Sequence, residues 1–359
     1  MKILDRYIIR ELLDPFAFGL GAFTLIMSAS MVLFQLVRAV VVNGMPFIVA
    51  VQLFLFKLPS IVIYIFPMAT LLATLLAIAR LSGDSELIAF RAAGVSLYRL
   101  VAPIFAFGLV ISLVSLLFYE VVVPEGNRAA TELTAVTRVE KAPKIQENVF
   151  VPEIENGVLK RIFFARRMSG GEMEGVLVQE FQDGRLSQLV NAKTAKYEGR
   201  EWLFRDGTIY ILSDVGEYKH LIKFDEQRVA IKFSPSDFQV DDRSPEEMNF
   251  RELAATIRKK EKMGLDLTDL KIQLHYKVAI PFASLVFTLL GAPLGLNPTR
   301  RSSSIGLGLS VIVLFFYYLL MFLSMSAAQL RYFPPVVAAW LPNIATGGAG
   351  LYILSRRAS

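Results

Sequence analysis

The sequence contains no cysteine and only two histidines, His220 and His275. Without cysteine the chain cannot form a disulfide, a thiolate metal site or a cysteine nucleophile, and two histidines leave little for histidine-rich metal or triad chemistry. Charged residues are also scarce, at 19% of the 359 residues, whereas soluble globular proteins average about 25%. These shortages exclude an ordinary cytosolic enzyme and a disordered chain.

The sequence also lacks any Gly-Lys dipeptide, so it contains no G-x-x-x-x-G-K-[ST] phosphate-binding loop. If ATP drives this protein, a second polypeptide must supply the ATPase, and this chain itself is expected to hold no cofactor. The net charge of +6 would suit an anionic partner, but basic residues also orient membrane proteins. The charge alone therefore decides nothing, and no nucleic-acid partner is expected.

Apolar residues are abundant, at 54% of the chain, with a mean hydropathy of +0.49. A bilayer core about 30 Å thick requires about 20 apolar residues per spanning helix. Six charge-free stretches meet this requirement: 15–37, 58–79, 100–119, 278–299, 305–330 and 332–355. The first exceeds the length of a signal-peptide core and lacks a clear cleavage site. The sequence therefore predicts a polytopic membrane protein with six transmembrane helices.

Basic residues in the short flanks of these stretches predict the orientation. They are Lys2, Arg6 and Arg10; Arg80, Arg91 and Arg99; Arg300 and Arg301; and Arg356 and Arg357. With six spans all of these flanks fall on one side, which is predicted to be the cytoplasm. Both termini are then cytoplasmic, and residues 120–277 lie on the opposite side of the membrane.

The long outer segment is polar and alternates in hydrophobicity. Segments 160–168, 175–181, 201–212 and 220–224 are typical of strands of about 5–8 residues. Turn signals occur at Asp183-Gly184, Glu198-Gly199 and Asp206-Gly207. The segment predicts an inserted all-β extracytoplasmic domain.

After the β region, Ser244-Pro245-Glu246-Glu247 has the spacing of a capping box, with proline at the first helical position. It predicts the start of a charged helix that continues to about Met263. The resulting division has helices 1–3 in residues 1–123, the β domain in 124–243, a helical connector in 244–277 and helices 4–6 in 278–359.

The predicted inner loop between the second and third spans contains a short helix of about residues 84–93. Asp84 suits an N-cap, Glu86 favours the first turn, and Gly94 suits a C-terminal stop. Nine residues are too few to span a bilayer. Leu87, Ile88 and Phe90 would lie on its apolar side, with Glu86 and Arg91 beside them.

Two interpretations of this helix remain open. In many transporters, a short cytoplasmic helix between two spans of the membrane subunit docks on an ATPase and receives its force. The alternative is an interfacial helix that only anchors the loop. The candidate coupling residues are Asp84, Glu86, Leu87, Phe90 and Arg91.

Four basic residues lie on the side where the orientation makes them less expected: Arg38, Lys57, Arg128 and Arg331. They fall near one predicted depth, where the phosphates of an anionic lipid headgroup would lie. The functional hypothesis is that they bind a phosphorylated lipid from the outer leaflet. The alternative is that their side chains anchor the helices to ordinary lipids.

Other features favour structural roles. Gly291 and Gly295 have G-x-x-x-G spacing, which permits close helix packing within the chain as well as a dimer contact. The phenylalanine-rich faces suit lipid contact, bundle core or an acyl-chain lumen. The six stretches contain no acidic residue, so a proton- or sodium-coupled carrier would lack its usual relay.

Several motifs carry a resemblance to a known family. They are residues 3–12 (ILDRYIIREL), 66–72 (FPMATLL), 85–94 (SELIAFRAAG), 275–285 (HYKVAIPFASL) and 289–295 (LLGAPLG), with weaker similarity at 191–195 and 202–207. The chain resembles the lipopolysaccharide-export permeases of the LptF/LptG type, also called YjgP/YjgQ. The resemblance extends over essentially the whole chain.

The resemblance implies a subunit of an ATP-driven complex in the bacterial inner membrane that extracts lipopolysaccharide from the outer leaflet. It implies a periplasmic β-jellyroll that passes the lipid to periplasmic jellyroll proteins. It also implies a second permease chain, related or identical, with a cavity between the first and fifth spans. Glu86 matches the acidic position that contacts the cytoplasmic ATPase dimer, and Arg38 and Arg331 lie at the outer ends of the two spans.

Two other functional classes compete with export. A mechanotransmission subunit, in which an ATPase moves the outer domain without carrying a lipid, commonly has four spans per chain. A membrane-bound transferase would need a cluster of histidines or carboxylates near the bilayer surface, and only scattered ones occur. Both classes fit the sequence less well than a lipid permease does.

Overall fold

The structure is a computed structural model that describes residues 3–42, 44–137, 146–155, 158–169, 172–182, 184–198, 201–213, 218–229, 243–261, 266–296 and 303–358. The chain divides into two compact units. The helical unit consists of Met1–Thr137, Ser244–Ala254 and Thr268–Ser359, and the sheet unit of Arg138–Arg243 and Ala255–Leu267. Each unit is described by itself.

The helices follow the apolar stretches of the sequence. They are α1 (Ile3–Ser28), α2 (Phe34–Val41), α3 (Phe47–Gly83), α4 (Glu86–Ala92), α5 (Leu97–Leu117), α6 (Val123–Thr137), α7 (Phe250–Glu261), α8 (Thr268–Gly295), α9 (Ser303–Gln329) and α10 (Pro335–Ala358). A π-helical segment, Ala29–Leu33, joins α1 to α2, and a second, Phe118–Val122, joins α5 to α6.

Six of the described helices are long and apolar enough to cross a membrane, which confirms the prediction of six spans. The helices exceed the charge-free stretches at most ends, because helical backbone continues into polar flanks. Thus α6 continues past the predicted boundary at 123, and α8 begins ten residues before the predicted start at 278. The fourth span ends at Gly295 rather than 299. The flanking Lys2, Arg300 and Arg301 lie outside the described residues.

Helices α3 and α8 form the centre of the helical unit. Most of the apolar stretch of α3 is buried, 83%, whereas the corresponding share of the α1–α2 helix is 11%. The two central helices approach closely where Gly291 and Gly295 of α8 face Thr74 and Ile78 of α3. The G-x-x-x-G spacing therefore serves packing within the chain.

Helix α10 packs against α8 at a point where both backbones come close. A Cβ atom on Gly350 would lie 2.8 Å from the carbonyl carbon and oxygen of Leu289. Pro293 has no N–H to donate to that carbonyl, so the proline frees the oxygen that Gly350 approaches. Only a residue without a side chain fits here.

Replacing Gly350 by alanine is therefore expected to destabilise the helical unit by about 1–3 kcal/mol, the usual cost of overpacking. Thermal unfolding of the purified protein in detergent, followed by circular dichroism, measures the change. Gly348→Ala is the matched control, because no heavy atom lies within 4 Å of its added Cβ. The control should raise stability slightly, and equal effects of the two substitutions would contradict the close contact.

The sheet unit contains one antiparallel sheet with strands in sequential order. The strands are β1 (Gln146–Glu155), β2 (Val158–Ser169), β3 (Glu172–Gln182), β4 (Arg185–Glu198), β5 (Glu201–Leu212) and β6 (Tyr218–Val229). Phe163, Val178, Val190 and Ile209 pair in register across four strands and are buried together. The inserted β domain is confirmed, and its jellyroll topology stays a prediction.

The strands differ from the predicted ones in length and number. They run for 10–14 residues rather than 5–8, and both β1 and β4 escaped prediction. The turn predicted at Asp206-Gly207 is wrong, because both residues lie inside β5. Gly207 is needed there because the ring of Phe224 packs over it, 2.1 Å from where a Cβ would be. Asp183, Gly199 and the predicted helix end at Met263 lie outside the described residues.

The predicted capping box at Ser244 and Glu247 is present, but it caps one 3-10 turn, Pro245–Glu247. Met248 then returns to extended backbone. Helix α7 begins with a second reciprocal pair, in which Asn249 and Glu252 each accept the backbone N–H of the other at 2.9 Å. The single helix predicted from 244 is therefore two elements.

Candidate functional site

The loop helix α4 connects α3 to α5 through a very short turn. Asp84 was predicted as its N-cap, but Asp84 instead ends α3, and its N–H donates to the carbonyl of Arg80. The N-cap is Ser85, which has φ +61° and makes no side-chain cap. Only two residues separate the helices, so one of them must reverse the chain in the left-handed conformation. Glu86 is thus the first residue of the helix.

The C-terminal stop at Gly94 occurs as predicted. Gly94 has φ +81°, its N–H donates to the carbonyl of Arg91, and the N–H of Val95 donates to that of Phe90. These two hydrogen bonds are the pattern of a Schellman motif. The ends of α4 are therefore fixed by backbone geometry, and the helix presents its side chains in a defined direction.

The start of α1 makes three polar contacts, one with α4 and one with each of the neighbouring ends of α3 and α5. The hydroxyl of Tyr7 donates to both carboxylate oxygens of Glu86, at 2.7 and 3.0 Å. Arg99 forms an ion pair with Asp5 at 2.5 Å, and Arg80 forms one with Glu11. Sequence reasoning missed these contacts, because nothing in the spacing shows that residues 69, 79 or 94 positions apart will meet.

The two faces of α4 differ from the predicted grouping. Leu87 is buried and Phe90 is half-buried against residues of α1, α3 and α5. Ile88, which was predicted on the same apolar side, is instead 62% exposed. Residues three positions apart share one face of a helix, so Ile88 lies on the face of the exposed Arg91. The outward face therefore combines an exposed aliphatic residue with a cation.

A cleft of about 270 Å³ lies next to this outward face. Its lining is mostly aliphatic, with two arginines, and consists of Ser82, Leu87, Ile88, Arg91, Leu97, Leu100, Leu296 and Arg357. Arg357 also donates to the carbonyl of Leu296 at 2.5 Å, which holds the end of α10 against the end of α8. The cleft and the outward face of α4 form one continuous surface.

Two of the predicted lipid-binding residues are exposed at helix ends. Arg38 lies in the last turn of α2, and Arg331 follows the end of α9. Arg331 has φ +63°, and its N–H donates to the carbonyl of Ala328 at 2.9 Å. An arginine therefore occupies the left-handed position where a helix usually ends on glycine.

The other two predicted lipid-binding residues, Lys57 and Arg128, make polar contacts within the helical unit. The ammonium of Lys57 donates to the side chain of Asn127 at 3.3 Å. Arg128, the next residue, donates to the carbonyl of Glu247 at 3.0 Å and forms ion pairs with Glu252 at 2.5 Å and Glu125 at 3.1 Å. These contacts hold α3, α6 and the turn at Pro245–Glu247 together, and a lipid role for both residues stays a prediction.

Sequence reasoning missed a buried cation in α8. The side chain of Lys277 is 3% exposed, its ammonium makes no hydrogen bond, and it lies 4.6 Å from the centroid of the Tyr119 ring. Tyr119 belongs to the π-helical segment Phe118–Val122, and such segments are frequent at functional sites. A lysine one residue before an apolar stretch was the available signal, but it was interpreted as the boundary of the span.

The described residues contain no group of three or more histidine, aspartate or glutamate side chains that could hold a metal ion. A comparison with curated proteins gives no match. A comparison with protein families matches residues 6–356 to the family described as "Lipopolysaccharide export system permease LptF/LptG". The match includes all six spans, the loop helix and the inserted sheet. This chain therefore belongs to the LptF/LptG family and is a multi-pass permease subunit of lipopolysaccharide export.

Proposed function

We propose that this subunit uses ATP hydrolysis in a separate cytoplasmic ATPase dimer to extract lipopolysaccharide from the outer leaflet of the bacterial inner membrane. The observation that carries the proposal is the family match over residues 6–356 together with the loop helix α4. In this proposal both termini and α4 are cytoplasmic, and the sheet unit is periplasmic. A second permease chain of the same family completes the complex.

The entry step uses the helices that are least packed. The apolar stretches of the α1–α2 helix and of α9 are only 11% and 22% buried. Their exposed apolar side chains can exchange contacts with membrane lipid for contacts with a multi-chain glycolipid. Because each buried CH₂ contributes about 0.8 kcal/mol against water, several acyl chains cannot leave the membrane unaided. An external energy source is therefore required.

The phosphorylated part of the lipid would lie among the basic residues at the outer ends of the helices. Arg38 and Arg331 are the exposed members of this set. Lys57 and Arg128 also belong to it, although they already bind side chains of the helical unit. Guanidinium groups suit phosphates because they donate several hydrogen bonds in one plane. The four cations then select a phosphorylated glycolipid over a neutral one.

The ATPase would dock on α4 and the adjoining cleft. Ile88 and Arg91 supply the exposed aliphatic and cationic contacts, and Glu86, Leu87 and Phe90 connect them to the bundle. Asp84 lies at the turn that precedes the helix. Although Glu86 already accepts from Tyr7, a carboxylate has further acceptor sites for a donor on the partner.

The sheet unit would shield the acyl chains after release and pass the lipid to periplasmic jellyroll proteins. One face of the sheet carries a continuous apolar cluster that includes Phe163, Met173, Trp202 and Phe204. Because these side chains are only 0–4% exposed, the acyl chains would have to insert among them. The sugars of the lipid would remain in water.

The proposal is tested by purifying the chain with its permease partner and ATPase and reconstituting the complex in vesicles that contain lipopolysaccharide. ATP should release the lipid to a soluble periplasmic acceptor, and a non-hydrolysable analogue should not. A complex that hydrolyses ATP but never retains or releases glycolipid would favour mechanotransmission instead. Hydrolysis of ATP by this chain alone would contradict the proposal that a separate ATPase dimer hydrolyses ATP.

A further inference from the structure

We infer that Tyr7 is a positioning residue that makes the first helix move with the loop helix, so that force on α4 is delivered to α1. The inference rests on the proposed function, because it concerns how the ATPase acts on the lipid path. Its starting observation is the bifurcated hydrogen bond that the Tyr7 hydroxyl donates to the two carboxylate oxygens of Glu86. This contact joins the first turns of α1 to the first residue of α4.

The contact does not stand alone. Asp5 with Arg99 and Glu11 with Arg80 place ion pairs on either side of it, one to each helix that flanks the loop. Between these polar contacts, Ile8 and Leu12 pack in the same buried cluster as Leu87. The cytoplasmic start of α1 is therefore fastened to α4 and to both neighbouring helix ends.

Beyond this fastened end, aromatic and aliphatic side chains of α1 pack along α3, and the two helices come closest at one point. At Gly19 an added Cβ would lie 3.1 Å from Leu72 and 3.3 Å from the backbone of Ala69, so α1 rests directly on α3 there. At 1.5 Å per residue, Gly19 lies about 18 Å from Tyr7 and about 28 Å from Arg38. Rotation about this contact would move the Arg38 end farther than the Tyr7 end.

The π-helical segment Ala29–Leu33 interrupts the same helix between Gly19 and Arg38. Interruptions of this kind are places where helices bend. The outer part of the helix can therefore follow the rotation of the inner part at a different angle, while the inner part stays attached to α4. This arrangement delivers a small displacement of the loop helix to the basic residue that would contact the lipid phosphate.

The test is the substitution Tyr7→Phe in the complex with its ATPase, reconstituted in vesicles. ATPase association and the rate of ATP hydrolysis should stay close to wild type. Lipid released per ATP should fall by about tenfold, the factor expected from losing one hydrogen bond to a charged group. Tyr98→Phe is the matched control, because Tyr98 is 59% exposed at the start of α5, and it should leave the ratio unchanged.

A rescue experiment separates transmission of force from a general loss of structure. The chain has no cysteine, so Asp5→Cys with Arg99→Cys provides a unique pair across the same junction. In a Tyr7→Phe background, cross-linking this pair with a short, reducible bis-thiosulfonate reagent should restore the lipid released per ATP. Reduction of the cross-link should remove the gain.

Three results would overturn the inference. They are a wild-type ratio in Tyr7→Phe, a parallel loss of hydrolysis and release, or a cross-linked complex that remains uncoupled. A wild-type complex that releases no lipid with ATP would instead overturn the proposed function. The two failures are therefore distinguishable in the same assay.

Discussion

Replacing Glu86 by lysine is expected to reduce ATP-driven lipid release by at least about tenfold while the chain still inserts into the membrane. The substitution removes the acceptor of the Tyr7 hydroxyl, whose single proton is shared between the two carboxylate oxygens, and a hydrogen bond to a charged group is worth about 1.5–3 kcal/mol. It also places a cation at the first position of α4, where the helix dipole favours an anion. Release of lipopolysaccharide from reconstituted vesicles measures the effect.

Glu86→Gln separates the two roles proposed for this carboxylate. The amide oxygen can still accept the Tyr7 hydroxyl, but the negative charge offered to the ATPase is lost. If the internal contact dominates, Glu86→Gln should retain most of the release that Glu86→Lys loses. If ATPase docking dominates, both substitutions should weaken co-purification of the ATPase.

The control for the charge change is Glu132→Lys, which alters an exposed glutamate of α6. It should affect neither release nor ATPase association. Undiminished release by Glu86→Lys, in a complex that still contains the ATPase, would show that α4 does not couple hydrolysis to transport.

Replacing Arg331 by glutamate is expected to weaken binding of a phosphorylated lipid by about tenfold or more. The substitution removes a charge-assisted hydrogen bond to a phosphate and adds repulsion in its place. Retention of radiolabelled lipopolysaccharide by the detergent-purified protein measures the affinity. Arg38→Glu should act in the same direction, because its guanidinium is exposed at the end of α2.

The backbone at Arg331 supplies a second, independent readout. Arg331→Gly and Arg331→Ala remove the same guanidinium, but only glycine adopts φ +63° without strain. Arg331→Gly should therefore be more stable than Arg331→Ala by about 1 kcal/mol, with the same loss of lipid binding. Such a result would show that a residue with a side chain at position 331 lowers the stability of the protein relative to glycine.

Dephosphorylated lipid provides the chemical control for these substitutions. Its binding should be nearly the same in Arg331→Glu and in the wild type, because no phosphate remains to be recognised. Lys193→Glu, on the exposed surface of β4, should leave binding of both lipids unchanged. Equal losses for phosphorylated and dephosphorylated lipid would contradict recognition of the phosphate.

The sequence alone predicted the features that depend on composition and on the periodic spacing of apolar residues. Six long apolar stretches predicted six spans, and a glycine at position 94 predicted the end of α4. The inserted β domain also followed from alternating hydrophobicity. These features depend on local sequence, so no knowledge of distant contacts was required.

Features that depend on tertiary contacts could not be predicted. Asp206-Gly207 has the composition of a turn, but the ring of Phe224 on the neighbouring strand requires the glycine inside β5. Strand β4 escaped prediction because its polar stretch contains few large apolar residues. The contact of Tyr7 with Glu86 likewise depends on how α1 packs against the loop, which the local sequence does not encode.

The central position of α3 and α8 has a consequence for how the chain is made. The two helices are neighbours in the finished bundle, yet 184 residues separate Gly83 from Thr268. At translation rates of about 5–20 residues per second, the ribosome needs roughly 10–40 s to make that intervening chain. During this interval Thr70 and Thr74 of α3, which end up fully buried, have no α8 to cover them. Newly synthesised α3 is therefore expected to remain in the bilayer with an incomplete set of neighbours until α8 has been made.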